Sequence, residues 1–293
     1  MTNRHGEHLT LKFAIPNKGR LSERTVQILN HAGLEIEGAD ERKLYTNVRN
    51  LSVMFLRASD IVRFVHKGAV DVGVTGKDLV LEAGVDVKTV YELDFGHCRL
   101  SIAAPEGSGF DSVDDIRDGT VVATSFPNMT QKYFERLGKK VEITKISGAA
   151  EVTPHLGVAD VISDLVSSGS TLKMNHLKEI AVITHSQAVV IANHESYKTR
   201  RDEIDELVSA MRSVMDAENK KYLMADVPTT ALDEVRKYFP GIAGPTVMNI
   251  AGREDVVAVH VVIDKDHVYD AIIRLKRLGA SGILITPIDR MVP

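Results

Sequence analysis

The chain has 293 residues, 44 % of them hydrophobic, enough apolar surface to give two or three domains a core each. A net charge of −4 excludes an overall basic nucleic-acid binder, and no run approaches the ~20 apolar residues of a membrane-spanning helix. The start, MTNRHGEHLTLKF, places charge where a signal peptide needs an apolar stretch, so a cytoplasmic location is expected. The single cysteine, Cys98, excludes an intramolecular disulfide and a thiolate metal site, and reads as a small buried residue.

In chain order, Leu11 to Ile15 reads as a strand, Pro16-Asn-Lys-Gly-Arg20 as a turn, and Leu21 to Ala32 as a helix with Ser22 near its start. Further strand-like runs are 51–56, 70–74, 98–104, 120–124, 141–146, 158–166 and 180–192. Helical patterns over 59–67, 77–83, 129–137 and 172–178 interleave with them. This alternation predicts mainly parallel α/β sheets. An internal echo divides them: Gly68-Ala-Val-Asp71-Val72 recurs as Gly157-Val-Ala-Asp160-Val161, each followed by apolar residues, as two similar lobes would require. The run 180–192 then returns the chain to the first lobe, ahead of a long helical pattern over 199–219.

From Lys221 the texture changes to strand 222–227, helix 230–238, strands 246–250 and 256–263, helix 265–278 and strand 282–285, the βαββαβ order of a ferredoxin-like domain. Gly279 suits a helix C-cap and Pro287 closes the last strand. The expected divisions are a lobe 1–103 completed by 182–218, a second lobe 104–181, and a C-terminal domain 219–293.

The most informative stretch runs from Glu151 to Leu172. It sets Asp160 and Asp164 on or at the end of a buried strand, then a loop of small hydroxyl residues around Gly169, then a helix starting near Thr171. Glycine admits close backbone approach, hydroxyls donate hydrogen bonds, and a helix start offers free N–H groups, so the pattern is a phosphate cradle beside an acidic pair. Such carboxylates suit sugar hydroxyls or Mg²⁺ on a pyrophosphate. Lys12, Lys18, Arg20, Arg24, Arg57, Arg63, Lys67 and Lys77 gather in the first lobe, as a cleft for a phosphorylated ligand would need. The eleven histidines, His5 and His8 among them, are scattered and show no metal-ligand spacing. Gly73-x-x-Gly76 lacks the remaining glycine of a dinucleotide fingerprint, and no P-loop is present.

The Glu151–Leu172 stretch resembles the signature of ATP phosphoribosyltransferases, ending in Ser168-Gly169-Ser-Thr171-Leu172 at the family's spacing. The similarity extends through Pro16-Asn-Lys-Gly-Arg20-Leu, Leu56-Arg57-Ala-Ser-Asp60-Ile, Asp71-Val-Gly73-Val-Thr-Gly76-Lys-Asp-Leu, Leu93-Asp94-Phe-Gly96-His-Cys98-Arg99-Leu and Gly244-Pro245-Thr246. The fold this implies is α/β: a two-lobed, periplasmic-binding-protein-like catalytic core with a C-terminal ferredoxin-like (βαββαβ, ACT-like) regulatory domain.

By the same resemblance, Glu151 and Asp164 contact the ribose hydroxyls of phosphoribosyl pyrophosphate, and Ser167, Ser168, Gly169, Ser170 and Thr171 hold its 5′-phosphate. Lys18 and Arg20, with Arg57, Asp94 and Arg99, line the ATP and pyrophosphate side. The implied reaction joins the phosphoribosyl group to N1 of ATP. Lys18, Arg20 and Asp164 are then catalytic in an electrostatic sense, with Mg²⁺ as cofactor. The resemblance also implies free histidine as inhibitor at the C-terminal domain, and a homo-oligomer growing from dimer to hexamer. A periplasmic solute-binding protein shares the two-lobed plan but requires export. A ligand-sensing regulator shares the βαββαβ tail but requires a basic recognition helix.

Overall fold

The computed structural model describes residues 10–36, 44–242 and 244–292, so His5 and His8 lie outside the described residues. In chain order the elements are β1 (Leu11–Pro16), α1 (Arg20–His31), β2 (Tyr45–Val48), β3 (Leu51–Leu56), α2 (Ala58–His66), β4 (Val72–Gly76), α3 (Lys77–Ala83), β5 (Lys88–Glu92), β6 (Cys98–Pro105), β7 (Val121–Thr124), α4 (Pro127–Arg136) and β8 (Glu142–Lys145). There follow β9 (Val161–Val166), α5 (Ser170–Met174), β10 (Leu177–Ser186), β11 (Ala188–Ala192), α6 (His194–Thr199), α7 (Arg201–Glu218), β12 (Lys220–Pro228), α8 (Leu232–Tyr238), β13 (Thr246–Ile250), β14 (Arg253–Asp264), α9 (Val268–Arg277) and β15 (Ser281–Pro287). They divide into two compact units, the second taking Ile28–Leu34 and Ser209–Pro293, so the boundary falls inside α7.

The first unit holds two sheets. One has the order β2-β3-β1-β4-β11-β5 and the other β10-β6-β9-β7-β8. Only β3-β1-β4 and β9-β7-β8 are parallel, which corrects the expectation of mainly parallel sheets. The strands that carry the chain out of one sheet and back again pair with each other or against the parallel set, as β6 does with β10 and β9, and β11 with β4 and β5. For the same reason the apolar run expected as one strand is two. β10 ends at Ser186, β11 starts at Ala188, and the carbonyl of Gln187 between them accepts the Lys77 N–H at 2.9 Å. The helix expected over 172–178 stops at Met174, because His176 adopts φ 50 and releases the chain into β10. The long helix after β11 is interrupted at Arg200, whose guanidinium bonds Glu203, Asp71 and the Thr10 carbonyl.

The sequence echo has a structural counterpart. Asp71, before β4, accepts the Lys12 N–H of β1 at 2.8 Å and donates its own N–H to the Lys12 carbonyl. Asp160, before β9, does the same with Val121 of β7, its carboxylate accepting at 2.8 Å. Each aspartate thus fixes the register of a parallel pair. The lobes also touch through Glu82 of α3. Its two oxygens accept the N–H groups of Asn128 and Met129 at the start of α4, both at 3.0 Å.

The second unit orders its strands β13-β14-β12-β15, all antiparallel, with α8 and α9 in the connections, the ferredoxin-like plan read from the sequence. Leu223, Ala225, Val227, Val259, Val261, Val235, Ala271 and Leu275 form its core. Among the described residues no helix is long and apolar enough to cross a membrane.

In the first unit α2 lays Ile61, Val62 and Val65 over Ala14, Val189 and Ile191. This close seating depends on Gly73 in β4: a Cβ there would lie 2.4 Å from the Ile61 Cγ2. Gly73→Ala is therefore expected to lower stability by about 1–3 kcal/mol through overpacking. Ile61→Leu, which removes that methyl, should recover part of the loss, as urea unfolding of the single and double variants would show.

Candidate active site

Strand β9, buried over Val161–Ser163, delivers its C-terminal end to a cavity of about 380 Å³ lined by Arg20, Glu151, Asp164 and residues 165–172. The loop turns at Gly169, which adopts φ 81 and opens α5; a side chain at that position would be strained. Ser168 and Ser170 bring their hydroxyls within 2.9 Å of each other, and the Ser170 N–H reaches the Ser168 Oγ at 3.4 Å. Hydroxyls and backbone N–H groups at a helix start are the donor set that a phosphate needs. The loop is braced from behind by Arg99, whose guanidinium donates to the Ser167 carbonyl at 3.2 Å and to Glu179 at 2.9 Å.

Two carboxylates share this cavity. Asp164 accepts the Leu165 N–H at 2.7 Å, yet burial, reinforced by the Glu151 charge, pushes its carboxyl above the usual range. Asp160, the other acid of the pair read from the sequence, is committed to Val121 of β7 and does not line the cavity. The acidic pair at the cradle is Glu151 with Asp164.

A second cavity, of about 520 Å³, lies beside the first and shares Arg20, Leu165 and Ser167 with it. Its walls are Leu21, Leu79, Phe95, Phe126 and Leu165, with Cys98, Asp78 and Gln187 among its polar groups and Arg24 and His97 also lining it. Apolar walls with a few placed polar groups suit a heteroaromatic ring. Cys98 is half-buried; burial and the neighbouring Asp78 push its thiol up.

Of the residues singled out from sequence, the structure gathers Arg20, Glu151, Asp164 and 167–171 into one site. Lys18 and Arg57 are exposed just beyond the C-terminal ends of β1 and β3, adjacent parallel strands tied by the Asn17 N–H to the Leu56 carbonyl at 2.8 Å. Asp94 is exposed and pairs with His97 at 2.8 Å. Lys77 pairs with Glu92 at 2.7 Å. Sequence reasoning assigned no role to Asp78 or Phe126. The available signal for Asp78 was a carboxylate two residues past the end of a wholly buried strand.

The model of the ATP phosphoribosyltransferase family matches residues 57–213, and that of the HisG C-terminal domain matches 217–290. The ATP phosphoribosyltransferase of Methanococcoides burtonii is 47 % identical over 285 residues, 97 % of this chain and all of its own. That of Methanocaldococcus jannaschii is 46 % identical over 96 % of this chain and all of its own. Among solved structures, the ATP phosphoribosyl transferase (HisG:HisZ) complex from Thermotoga maritima aligns with a TM-score of 0.64 at 29 % identity, over 71 % of this chain and 99 % of that one.

The raised carboxyl of Asp164 has a consequence for stability. A carboxyl that holds its proton more tightly folded than unfolded favours the folded state at low pH, and that contribution is lost as pH rises from the ordinary carboxylate value through the raised one. Asp164→Asn, which does not titrate, should therefore melt above the parent at neutral pH without ligand. The gap should close on acidification below the carboxylate range. Melting curves from pH 3 to 8 that stay parallel would show that Asp164 carries no such penalty.

Proposed function

The chain belongs to the ATP phosphoribosyltransferase family, and from that premise we propose that it transfers the 5-phosphoribosyl group of phosphoribosyl pyrophosphate to N1 of the adenine ring of ATP. Pyrophosphate is released, in the first step of histidine biosynthesis. The observation that carries this reading is the sharing of Arg20, Leu165 and Ser167 by the cradle and the apolar cavity. A base seated in one then faces an anomeric carbon held in the other.

In this reading Ser167 to Thr171 hold the 5′-phosphate, and Glu151 and Asp164 take the ribose hydroxyls. Arg20, between the cavities, together with Lys18 and Arg57 at the strand ends, meets the triphosphate and the leaving pyrophosphate. Arg99 keeps the cradle loop in place, and Asp94 with His97 borders the ATP side. A neutral ring nitrogen attacks with its lone pair, so no side chain must first deprotonate it. The protein contributes alignment and fixed charge. A carboxylate at the ribose favours the cationic character that develops at the anomeric carbon as pyrophosphate departs.

The donor chemistry implies Mg²⁺. Among the described residues no three His, Cys, Asp or Glu side chains are grouped to hold an ion. Glu151 and Asp164 fit one that takes its other ligands from phosphate oxygens and water. When bound, Mg²⁺ neutralises charge on the pyrophosphate.

The C-terminal domain, 219–293, is read as the sensor at which free histidine inhibits. Supporting this, it carries a cavity of about 930 Å³ whose lining includes Glu234, Asp264 and Asp270 alongside Lys220, Arg274 and Arg277, the two signs of charge that a zwitterion needs. Inhibition at a distance requires that histidine favour one arrangement of a larger assembly, which agrees with the homohexamer built of dimers that the family resemblance implies, in the cytoplasm.

Thr171→Val keeps the shape and deletes the hydroxyl. The lost hydrogen bond to a charged phosphate should cost on the order of 1.5–3 kcal/mol, about ten- to a hundred-fold in affinity for the phosphoribosyl donor, with ATP affected much less. Pyrophosphate-release kinetics with each substrate varied in turn measures both, and equal losses would take Thr171 out of the donor site. Calorimetry of the full chain with free histidine should show saturable binding together with slower pyrophosphate release; no heat at millimolar histidine would remove the sensor role.

A further inference from the structure

Asp78 is a buried acid that the reading above does not use. It sits in the first turn of α3, 6 % exposed, with its carboxyl on the apolar cavity. One carboxyl oxygen accepts the Ser186 hydroxyl at 2.6 Å, and that hydroxyl in turn accepts the Asp78 N–H at 2.9 Å. Among the described residues no Lys, Arg or His forms an ion pair with it. An ionised carboxylate buried without a cation is costly to the fold, and burial raises this carboxyl above its ordinary value, opposed by hydrogen bonds from Ser186 and from the Asp78 and Leu79 backbone. The neighbourhood is nevertheless shaped to keep it: Gly76 carries no side chain, and a Cβ there would lie 2.3 Å from the Asp78 Oδ1. A buried acid on the wall of this apolar cavity is completed by a ligand that brings an N–H donor.

Resting on the assignment of that cavity to the adenine of ATP, we propose that Asp78 is a catalytic and base-selecting residue that accepts a hydrogen bond, and then a proton, from the exocyclic N6 amine. The N1 lone pair forms the bond to the anomeric carbon while the bond from that carbon to the pyrophosphate oxygen breaks, its electron pair leaving with pyrophosphate. The adenine thereby becomes a cation whose charge is shared between N1 and N6. The N6–H proton passes to the Asp78 oxygen that Ser186 does not hold, leaving the neutral imine, and returns to solvent when the product departs. The carboxylate thus stabilises a charge that exists only once N1 has reacted, which is where binding energy accelerates a reaction. Ser186, which holds the other oxygen, is a positioning residue. A purine bearing a 6-oxo group offers no amine to this oxygen and carries hydrogen on N1, so it is refused at the same point.

The test is a cycle between protein and substrate on the full chain, comparing the parent with Asp78→Asn. Pyrophosphate release is followed with ATP and with purine riboside triphosphate, which has N1 but no N6 amine. The parent should prefer ATP strongly in kcat. Asp78→Asn should lose at least a hundred-fold in kcat with ATP, hold the donor KM within about two-fold, and lose little with the analogue. Ser186→Ala, which leaves the carboxylate but loosens it, should show the same pattern at smaller amplitude and covers the case in which the asparagine variant does not fold. A penalty equal for both triphosphates overturns the proposal and makes Asp78 a structural residue. If the parent releases no pyrophosphate from ATP and donor, or if filling the cavity by Leu79→Trp leaves ATP binding unchanged, the fault lies instead in the assignment of reaction or cavity on which the proposal rests.

Discussion

The chain passes between the two sheets of its first unit twice, and both passages are stitched to each other before either sheet is complete. Leu93 donates to the Ala188 carbonyl and Ala188 to the Phe95 carbonyl, each at 2.9 Å, while Ser186 and Cys98 stand opposite one another in the β10–β6 pair. These crossings are short and paired, and the residues at or just after the C-terminal ends of β1, β4 and β9 border the two cavities. The cradle follows β9, the apolar cavity borders the end of β4, and Arg20 after β1 lines both.

Much of this was legible in the residues. The Glu151–Leu172 stretch could be read as a phosphate cradle because its chemistry is local: the glycine, the hydroxyls and the helix start are neighbours in sequence as in space. The βαββαβ tail could be read because each strand alternates and each break has its turn residue. The repeated Gly-x-x-Asp-Val marked two lobes because the same pair of hydrogen bonds is made twice, by Asp71 to Lys12 and by Asp160 to Val121. What failed was non-local. Strand direction across a sheet leaves no trace in periodicity, so the antiparallel crossings were missed. A continuous apolar run does not reveal that its two halves belong to different sheets. Short strands such as β2 and β5, largely exposed or half-buried, have too little apolar content to stand out. Asp160 and Asp164 look alike in sequence, and only register shows that one serves a neighbouring strand and the other a cavity.

Two acids, Asp78 and Asp164, are displaced upward in pKa with burial as the leading cause. Each follows an echo aspartate within a few residues, Asp164 inside β9 and Asp78 in the first turn of the helix after β4. The surrounding apolar residues could be packed more favourably around neutral groups. The tension between folding and function is thereby placed in two carboxyl groups rather than across the whole core.

The contact of Glu82 with the start of α4 bears on where a phosphate can lodge. A molecule that handles several phosphates at once faces a problem of addresses, since every helix beginning with open amides competes for the same anions. Pro127 brings no N–H to α4, and the next two amides are already occupied by a carboxylate from the other lobe. That doorway is closed by the protein's own charge. The cradle after β9 leaves Ser167, Ser168, Ser170 and Thr171 exposed and is closed by no such carboxylate, so under the proposed reading a polyanion has one berth to enter.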